Sequence, residues 1–198
     1  MPPSSETRPL IAPSPITQPE YSPEERGLLL RIAHEAILSA LQQRDVVDSS
    51  YSQHLSEPRG AFTTLYLRSK LRGCVGYPLP ISPLYRTVIE TSRAAAFEDP
   101  RFPPITVDEA RELQVSLSVL SPMQAILPEQ IEVGRHGLLI SRGGYRGLLL
   151  PQVAAEHGWD RVTFLEQTCL KAGLPTDSWQ EARIEAFTAE VFGDNSCS

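Results

Sequence analysis

The residues best suited to chemistry in this sequence lie in one hexapeptide, Leu71-Arg72-Gly73-Cys74-Val75-Gly76. In a β-strand, alternate side chains share a face. We therefore expect Arg72 and Cys74 to point to one side of a strand, with Leu71 and Val75 facing the core. A guanidinium close to a sulfur favours the thiolate, which is the nucleophilic form of cysteine. The spacing thus predicts a reactive cysteine, with Cys74 as the nucleophile and Arg72 as its cation.

The two glycines of the hexapeptide support a second interpretation. Gly73 and Gly76 remove the side chains on either side of Cys74, so another backbone segment or a ligand can come close. A purely structural arrangement is also consistent with these residues: a strand edge with a bulge, a half-buried Cys74 and an Arg72 paired with a carboxylate. Unreactive cysteines of this kind are common in proteins. The hexapeptide by itself leaves both interpretations open.

Three more residues are candidates for a site around Cys74. His136 is a candidate base, because histidine changes charge near neutral pH; the alternative is a turn residue that bonds to nearby backbone. Asp99 and Arg101 lie in a loop over residues 98–104, whose prolines restrict the residues before them. The loop therefore presents both side chains from a stiff scaffold, although a local salt bridge with capping would use the same two residues.

Capping and turn signals predict the elements that position these residues. Ser22 followed by Pro23, the capping box Thr106 to Glu109, and Asp160 each predict a helix start, and Gly143-Gly144 predicts a hairpin turn. Together with the apolar periodicity they predict helices over 22–43, 83–97, 106–113, 151–156 and 160–172, and strands over 60–68, 72–74, 115–119, 138–141, 147–150 and 183–192. Hairpins mixed with segregated helices indicate an α+β fold, in which an antiparallel sheet is flanked by helices.

The hexapeptide resembles the LRGCIG-type signature of the AMMECR family, whose bacterial and archaeal members are called AmmeMemoRadiSam system protein A. The resemblance continues in order from about residue 21 to residue 192. It rests on Asp99-Pro100-Arg101-Phe102-Pro103-Pro104, Val115-Ser116-Leu117-Ser118-Val119-Leu120, Gly137-Leu138-Leu139-Ile140, Leu149-Leu150-Pro151-Gln152-Val153 and Lys171-Ala172-Gly173-Leu174. One departure is Tyr77, which follows Gly76 where many relatives carry threonine.

The resemblance implies an organisation of two interlocked α+β subdomains over residues 21–192. We expect the smaller subdomain at about 59–97. Residues 1–20 are rich in proline, serine and threonine, so we expect a flexible tail there, and a short second tail over 193–198.

Composition excludes several classes of function. The formal net charge of −6 and the pI near 5.3 argue against a nucleic-acid surface, which requires a basic field. No apolar run approaches the roughly 20 residues of a membrane helix, and no secretory leader is evident. The three cysteines are widely spaced and give neither a disulfide framework nor a metal pattern, so we expect a cytoplasmic protein without metal or cofactor. We expect Cys169 to be a small core residue.

Two functional hypotheses follow. In the first, the chain is a Cys-dependent enzyme or enzyme component that uses Cys74, Arg72 and His136. The second is a non-catalytic accessory subunit. It would act beside the Memo-type and radical SAM proteins that the family's name implies, because this chain lacks the cysteine cluster of a radical SAM enzyme. Its groove for a peptide, a modified side chain or a small anion would be lined by Arg72, Cys74, Asp99, Arg101 and Gln152, with Gly73 and Gly76 giving access.

Overall fold

The described part of the chain forms two antiparallel sheets and five α-helices. The structure, a computed structural model, describes residues 19–44 and 51–194. The helices are α1 (Pro23–Leu41), α2 (Leu84–Phe97), α3 (Val107–Ala110), α4 (Pro151–Glu156) and α5 (Arg161–Lys171). The strands are β1 (Ala61–Leu67), β2 (Lys70–Tyr77), β3 (Leu113–Leu120), β4 (Gln124–Ala125), β5 (Gly137–Arg142), β6 (Tyr145–Leu149), β7 (Arg183–Phe187) and β8 (Ala189–Gly193). The predicted α+β class is confirmed.

The first sheet has the strand order β2-β1-β3-β8, and every neighbouring pair is antiparallel. Alternate residues of β1 and β3, such as Leu65 and Leu117, are fully buried with Leu29 of α1 and Val88 of α2 in one hydrophobic core. Burial of this apolar surface is the main favourable term in folding. The helices therefore cover one face of the sheet, and the other face carries Phe62, Thr64 and Tyr66, as the alternation along β1 predicts.

The second sheet has the order β4-β7-β5-β6 and its own hydrophobic core. Leu138 and Ile140 of β5 are fully buried there with Phe164 and Cys169 of α5. The core position of Cys169 is thus confirmed. Asp160 caps α5 by accepting a hydrogen bond from the backbone N–H of Thr163 at 2.7 Å, which satisfies a donor that the first helical turn leaves free.

The prediction of one final strand over 183–192 is wrong. The segment is two strands, because the chain leaves the second sheet at Phe187 and enters the first sheet at Ala189. At the crossing, the backbone N–H of Ser121 donates to Thr188 O at 2.9 Å, and the Thr188 N–H donates to Ser121 Oγ at 3.0 Å. The second sheet is therefore an insertion between β3 and β8, which is how the two units interlock.

Residues 59–97, where we expect the smaller subdomain, belong to the first sheet and its core. Residues 59–97 contain β1, β2 and α2, which share a sheet and a core with α1 and β3. The long-range pairing of β1 with β3 makes the β1–β2 hairpin part of the first sheet. The separate core is built within residues 121–188.

Most of the two expected tails lies outside the described residues, but both boundaries can be examined. Pro19 and Glu20 are described, and the N–H of Glu20 donates to a carboxylate oxygen of Glu190. At the other end, β8 extends to Gly193. The Asp194 carboxylate then accepts hydrogen bonds from the Val115 N–H at 2.7 Å and His34 Nε2 at 2.9 Å. Gly193 and Asp194, the first residues of the expected second tail, are therefore bound to the first sheet.

A β-bulge interrupts β2 at the hexapeptide. Leu65 pairs with Gly73, but the next residue, Tyr66, pairs with Leu71, so Arg72 is the extra residue. The bulge reverses the alternation and puts Leu71 on the same outer face as Cys74. The expectation that Leu71 faces the core is therefore wrong, and its side chain is 41% exposed. Gly73 faces inward, where a Cβ would lie 2.1 Å from the carbonyl oxygen of Ala95 in α2.

Replacing Gly73 with alanine should destabilise the protein, because β2 and α2 would have to separate to admit the methyl group. Overpacking typically costs about 1–3 kcal/mol, and each ~1 kcal/mol lowers Tm by roughly 2–4 °C in a chain of this size. We expect Gly73→Ala to lower Tm by roughly 5 °C, measured by circular dichroism. The matched control is Gly144→Ala in the β5–β6 turn, where a Cβ would meet no atom within 4 Å. Equal Tm values for the two variants would contradict the close packing of α2 against β2 at Gly73.

Candidate functional site

Cys74 lies on β2, at the edge of the first sheet and on the face that the helices leave uncovered. Its partner on β1 is Thr64, whose hydroxyl donates a hydrogen bond to the Cys74 sulfur at 3.4 Å. The thiol is half-buried and forms no disulfide. The structure thus presents Cys74 at a partly accessible position, with one local hydrogen-bond donor.

The loop after α2 covers the outer edge of β2 at Cys74. The Cys74 N–H donates to Asp99 Oδ2 at 2.9 Å, and Arg101 Nη2 donates to the Cys74 carbonyl at 3.3 Å. An edge strand leaves such groups without a strand partner. Asp99 and Arg101 take the place of a neighbouring strand, so the structure brings together three of the predicted site residues: Cys74, Asp99 and Arg101.

Asp99 is the buried member of this group. Its side chain is only 3% exposed and accepts hydrogen bonds from Arg101 Nε and Nη2, at 2.9 and 2.7 Å. The hydrogen bond from Arg101, followed by that from the Cys74 N–H, holds the pKa of Asp99 far below its usual range. The predicted local salt bridge is therefore present, and it also supports the strand edge.

Arg101 is the cation that faces the cysteine. The hydrogen bond to Asp99 raises the pKa of Arg101, and the charge of Asp99 contributes less. Its side chain is 55% exposed, and its Nη1 group donates no hydrogen bond to any described residue. The guanidinium carbon lies 5.5 Å from the centre of the Phe102 ring. The structure therefore holds an exposed cation in one orientation beside a thiol.

Arg72 does not take the role that the sequence suggested. Its Nε and Nη2 donate to the two carboxylate oxygens of Glu109 at 2.9 and 3.1 Å, and its Nη1 donates to Pro103 O at 2.8 Å. Each nitrogen of the guanidinium is thus engaged away from Cys74. The hydrogen bond from Arg72 also lowers the pKa of Glu109 to about 2. Arg72 fastens the loop and α3 to β2, as in the structural interpretation.

The two glycines admit protein atoms. Ala95 of α2 fills the space at Gly73, and the Phe62 ring lies across Gly76, where a Cβ would be 2.0 Å from ring carbon Cδ1. The sequence left open whether a ligand or another protein segment comes close to these glycines. At both positions the structure places another protein segment.

His136 and Gln152 lie away from this site. His136 Nδ1 accepts a hydrogen bond from the Glu132 N–H at 3.0 Å, which is the turn arrangement named as the alternative, and burial lowers the pKa of His136. Gln152 lines a cleft of about 660 Å³ together with Arg135 and Glu190. Glu190 belongs to β8, at the opposite edge of the sheet from β2, and three strand spacings separate these edges by about 14 Å. The residues that we expected to line one groove therefore lie in separate places, with Gln152 in this cleft and Asp99 and Arg101 beside Cys74.

Two partners of the site were missed from the sequence. Glu109 was identified as the third residue of a helix cap, and its Oε2 does accept the Thr106 N–H at 2.9 Å. A capping carboxylate has a second oxygen, which is the signal that could have pointed to an arginine partner. Thr64 could have been found by counting the hairpin register, since it lies opposite Cys74.

Neither a metal site nor a membrane-spanning helix is found among residues 19–44 and 51–194. No three histidine, cysteine or acidic side chains in this part of the chain come together as a metal site. No helix in residues 19–44 and 51–194 is long and apolar enough to cross a membrane.

Comparisons with known proteins identify relatives over most of the chain. The sequence model of the AMMECR1 family matches residues 30–192. Protein MK0488 of Methanopyrus kandleri is 43% identical over 182 residues, which cover 85% of this chain and 88% of that protein. Protein TK0174 of Thermococcus kodakarensis is 44% identical over 83% of this chain and 87% of its own. The crystal structure of the uncharacterized protein PH0010 from Pyrococcus horikoshii is similar in fold, with a TM-score of 0.72 and 40% identity over 85% of this chain and 90% of that one.

The lowered pKa of Glu109 predicts that the stabilising ion pair between Glu109 and Arg72, here called the clamp, is lost at acid pH. A carboxylate whose pKa is lower in the folded state stabilises the protein above its unfolded pKa of about 4.3, and this stabilisation is lost as the pH falls toward the folded value. For Glu109 the window extends from about 4.3 to about 2. We expect Glu109→Gln to be less stable than the wild type at pH 7, with the difference shrinking as the pH falls through this window. Urea unfolding at pH 7, 4 and 3 measures it.

Glu112→Gln is the control for this experiment. Glu112 also pairs with an arginine, Arg68, but both side chains are more than half exposed. Exposed ion pairs contribute little to stability. We expect this variant to follow the wild type at every pH. A Glu109→Gln variant that did the same would contradict the assignment of Glu109 as a clamp.

Proposed function

This chain belongs to the AMMECR1 family, and we propose that it is a binding or accessory module that recognises an anionic group beside Cys74. The observation that carries the proposal is the orientation of Arg101. Buried Asp99 holds two of its nitrogens, and the third, Nη1, is left to bind a ligand. A side chain that is already oriented loses less conformational entropy on binding. A guanidinium also offers the donor geometry that carboxylates and phosphates accept.

Binding is favoured over base-assisted catalysis because the expected catalytic partners are engaged elsewhere. A cysteine nucleophile is usually activated by an adjacent base or cation. Arg72 is bound to Glu109, and His136 is bound within its own turn. Thr64, the side chain that bonds to the sulfur, is neither a base nor a cation.

A Cys-dependent enzyme or enzyme component is the second candidate, and one observation favours it. The Arg101 guanidinium, which is oriented by Asp99, donates a hydrogen bond to the carbonyl of Cys74 at 3.3 Å, so a cation lies next to this cysteine. In the enzyme candidate, Arg101 replaces Arg72 as the cation that activates Cys74. An anionic substrate bound at Arg101 would then lie beside the Cys74 sulfur.

We further propose that the module acts beside Memo-type and radical SAM proteins in the cytoplasm. The family resemblance supports these partners. The unpaired thiols of Cys74 and Cys169 are consistent with a reducing compartment.

Iodoacetate and iodoacetamide provide a direct test of the proposed anion site. They alkylate thiols in the same way, but only iodoacetate carries a negative charge. If Arg101 Nη1 binds anions, the ratio of the iodoacetate rate to the iodoacetamide rate should be roughly threefold to fivefold higher at Cys74 than for free glutathione, a factor that corresponds to one exposed ion pair. Mass spectrometry of the folded protein measures both rates for each cysteine.

Variants of Arg101 decide whether this cation is responsible. Arg101→Gln should reduce the ratio at Cys74 to the value for glutathione, whereas Arg101→Lys should keep part of the preference. Arg68→Gln, which removes an arginine from the β1–β2 turn, should leave the ratio unchanged. A ratio at Cys74 equal to that of glutathione in the wild type would overturn the proposed anion site. Loss of all labelling in Arg101→Gln, with Tm unchanged, would favour the enzyme candidate instead.

Co-purification tests the proposed partners. With the tagged full-length chain as bait, we expect Memo-type and radical SAM proteins from the same cell to be recovered. Recovery should fall for Arg101→Gln and stay at the wild-type level for Arg68→Gln. Repeated failure to recover either partner at low salt would contradict the proposed partnership without affecting the anion test.

A further inference from the structure

A groove lies between the faces of the two sheets that carry no helices. In β5, Leu138 and Ile140 face the core of the second sheet, so Leu139 and its β6 partner Leu148 face the other way. In the first sheet, Phe62 and its partner Gly76 lie on the uncovered face. These four residues line one groove of about 390 Å³.

The interior of the groove is mostly apolar. Pro78 and Leu79, which follow β2, complete the wall that begins with Phe62, and Leu139 and Leu148 form the opposite wall. The volume is within the range of roughly 300–1,000 Å³ that is usual for small-molecule sites. The groove therefore suits one short apolar chain.

Two cations, Arg146 and Lys171, also line the groove. Arg146 precedes Gly147 on the edge strand β6, and the backbone of Lys171 and Ala172 packs against Gly147, so the end of α5 lies directly on β6 next to Arg146 in the chain. Nothing acidic is among the residues that line the groove. Within residues 19–44 and 51–194, neither cation forms an ion pair with a carboxylate, although the chain as a whole carries a net charge of −6. Glu185, which lines an adjoining cleft with Arg146, is paired with Arg183 at 2.8 Å.

From this combination we infer that the groove binds a small amphipathic anion, with one apolar chain that ends in a carboxylate or a phosphate. The apolar chain lies between Phe62 and Leu139, where its burial supplies the hydrophobic contribution. The anionic end binds Arg146 and Lys171, which together give the charge complementarity that selects an acid over a neutral molecule.

This site goes beyond the proposed anion site at Arg101, because it uses different cations, Arg146 of β6 and Lys171 of α5. The two places are neighbours, however. Cys74 lies two residues from Gly76 on the same face of β2, a distance of about 7 Å along a strand. Separate variants therefore distinguish failure of one proposal from failure of the other.

Equilibrium dialysis of the full-length protein tests the inference, with octanoate, octyl phosphate, octanol and acetate as probes. We expect saturable binding of octanoate or octyl phosphate. Octanol, which lacks the charge, and acetate, which lacks the chain, should each bind at least tenfold more weakly. Equal affinity for octanoate, octyl phosphate and octanol, or no saturable binding of either anion at millimolar concentration, would overturn the inference.

Charge-removal variants locate the site. The double variant Arg146→Gln with Lys171→Gln should bind the anion at least tenfold more weakly, with unchanged affinity for octanol. Both side chains are exposed, so the variant should fold, which Tm verifies. The matched control is Arg142→Gln with Lys70→Gln, which removes one arginine and one lysine outside the groove and should leave binding unchanged. Wild-type affinity in the Arg146/Lys171 variant would overturn the inference. Arg101→Gln should bind octanoate normally, so the two anion sites are tested independently.

Discussion

The hydrogen bonds of the Asp99 carboxylate are the interaction on which the Cys74 site depends. Asp99 is buried, and it would be costly to bury without partners. It is satisfied by the Cys74 N–H on one side and the Arg101 guanidinium on the other. The same contacts close the edge of β2 against pairing with another chain, a protection that edge strands generally require. One carboxylate thus holds the strand edge, the loop and the cation in a single arrangement.

The arginines near the site divide into two kinds according to how their charge is used. Arg72 is 12% exposed, and its hydrogen bonds to Glu109 and to the proline carbonyls hold one element against another. Arg101 is held on one side only, so its orientation is set while part of its guanidinium remains open. Arg146 lies at a groove without acidic residues. Arg101 and Arg146 are the arginines at the two proposed anion sites, whereas Arg72 holds structural elements together.

The crossing of the chain between the sheets determines where binding sites can form. Because β7 and β8 are consecutive but belong to different sheets, the second sheet is joined to the first at both of its ends. Each sheet buries one face under helices, and residues from the uncovered faces line the same groove. The groove beside Phe62 and the cleft beside Gln152 both lie at this junction between the units.

The sequence by itself determined what depends on neighbouring residues. Ser22, Thr106 and Asp160 cap helices as predicted, and the β5–β6 turn forms at Gly143, because capping and turn signals act within a few residues. Tertiary structure decided what depends on distant pairing. Asp99 reaches Cys74 across 25 residues, and Glu109 reaches Arg72 across 37, so alternation along one strand could not show which arginine meets the thiol. The break at Thr188 has the same origin, since β7 and β8 pair with strands that lie far away in sequence. The bulge at Arg72 lies within the local β1–β2 hairpin, but alternation along β2 alone does not show which residue is the extra one.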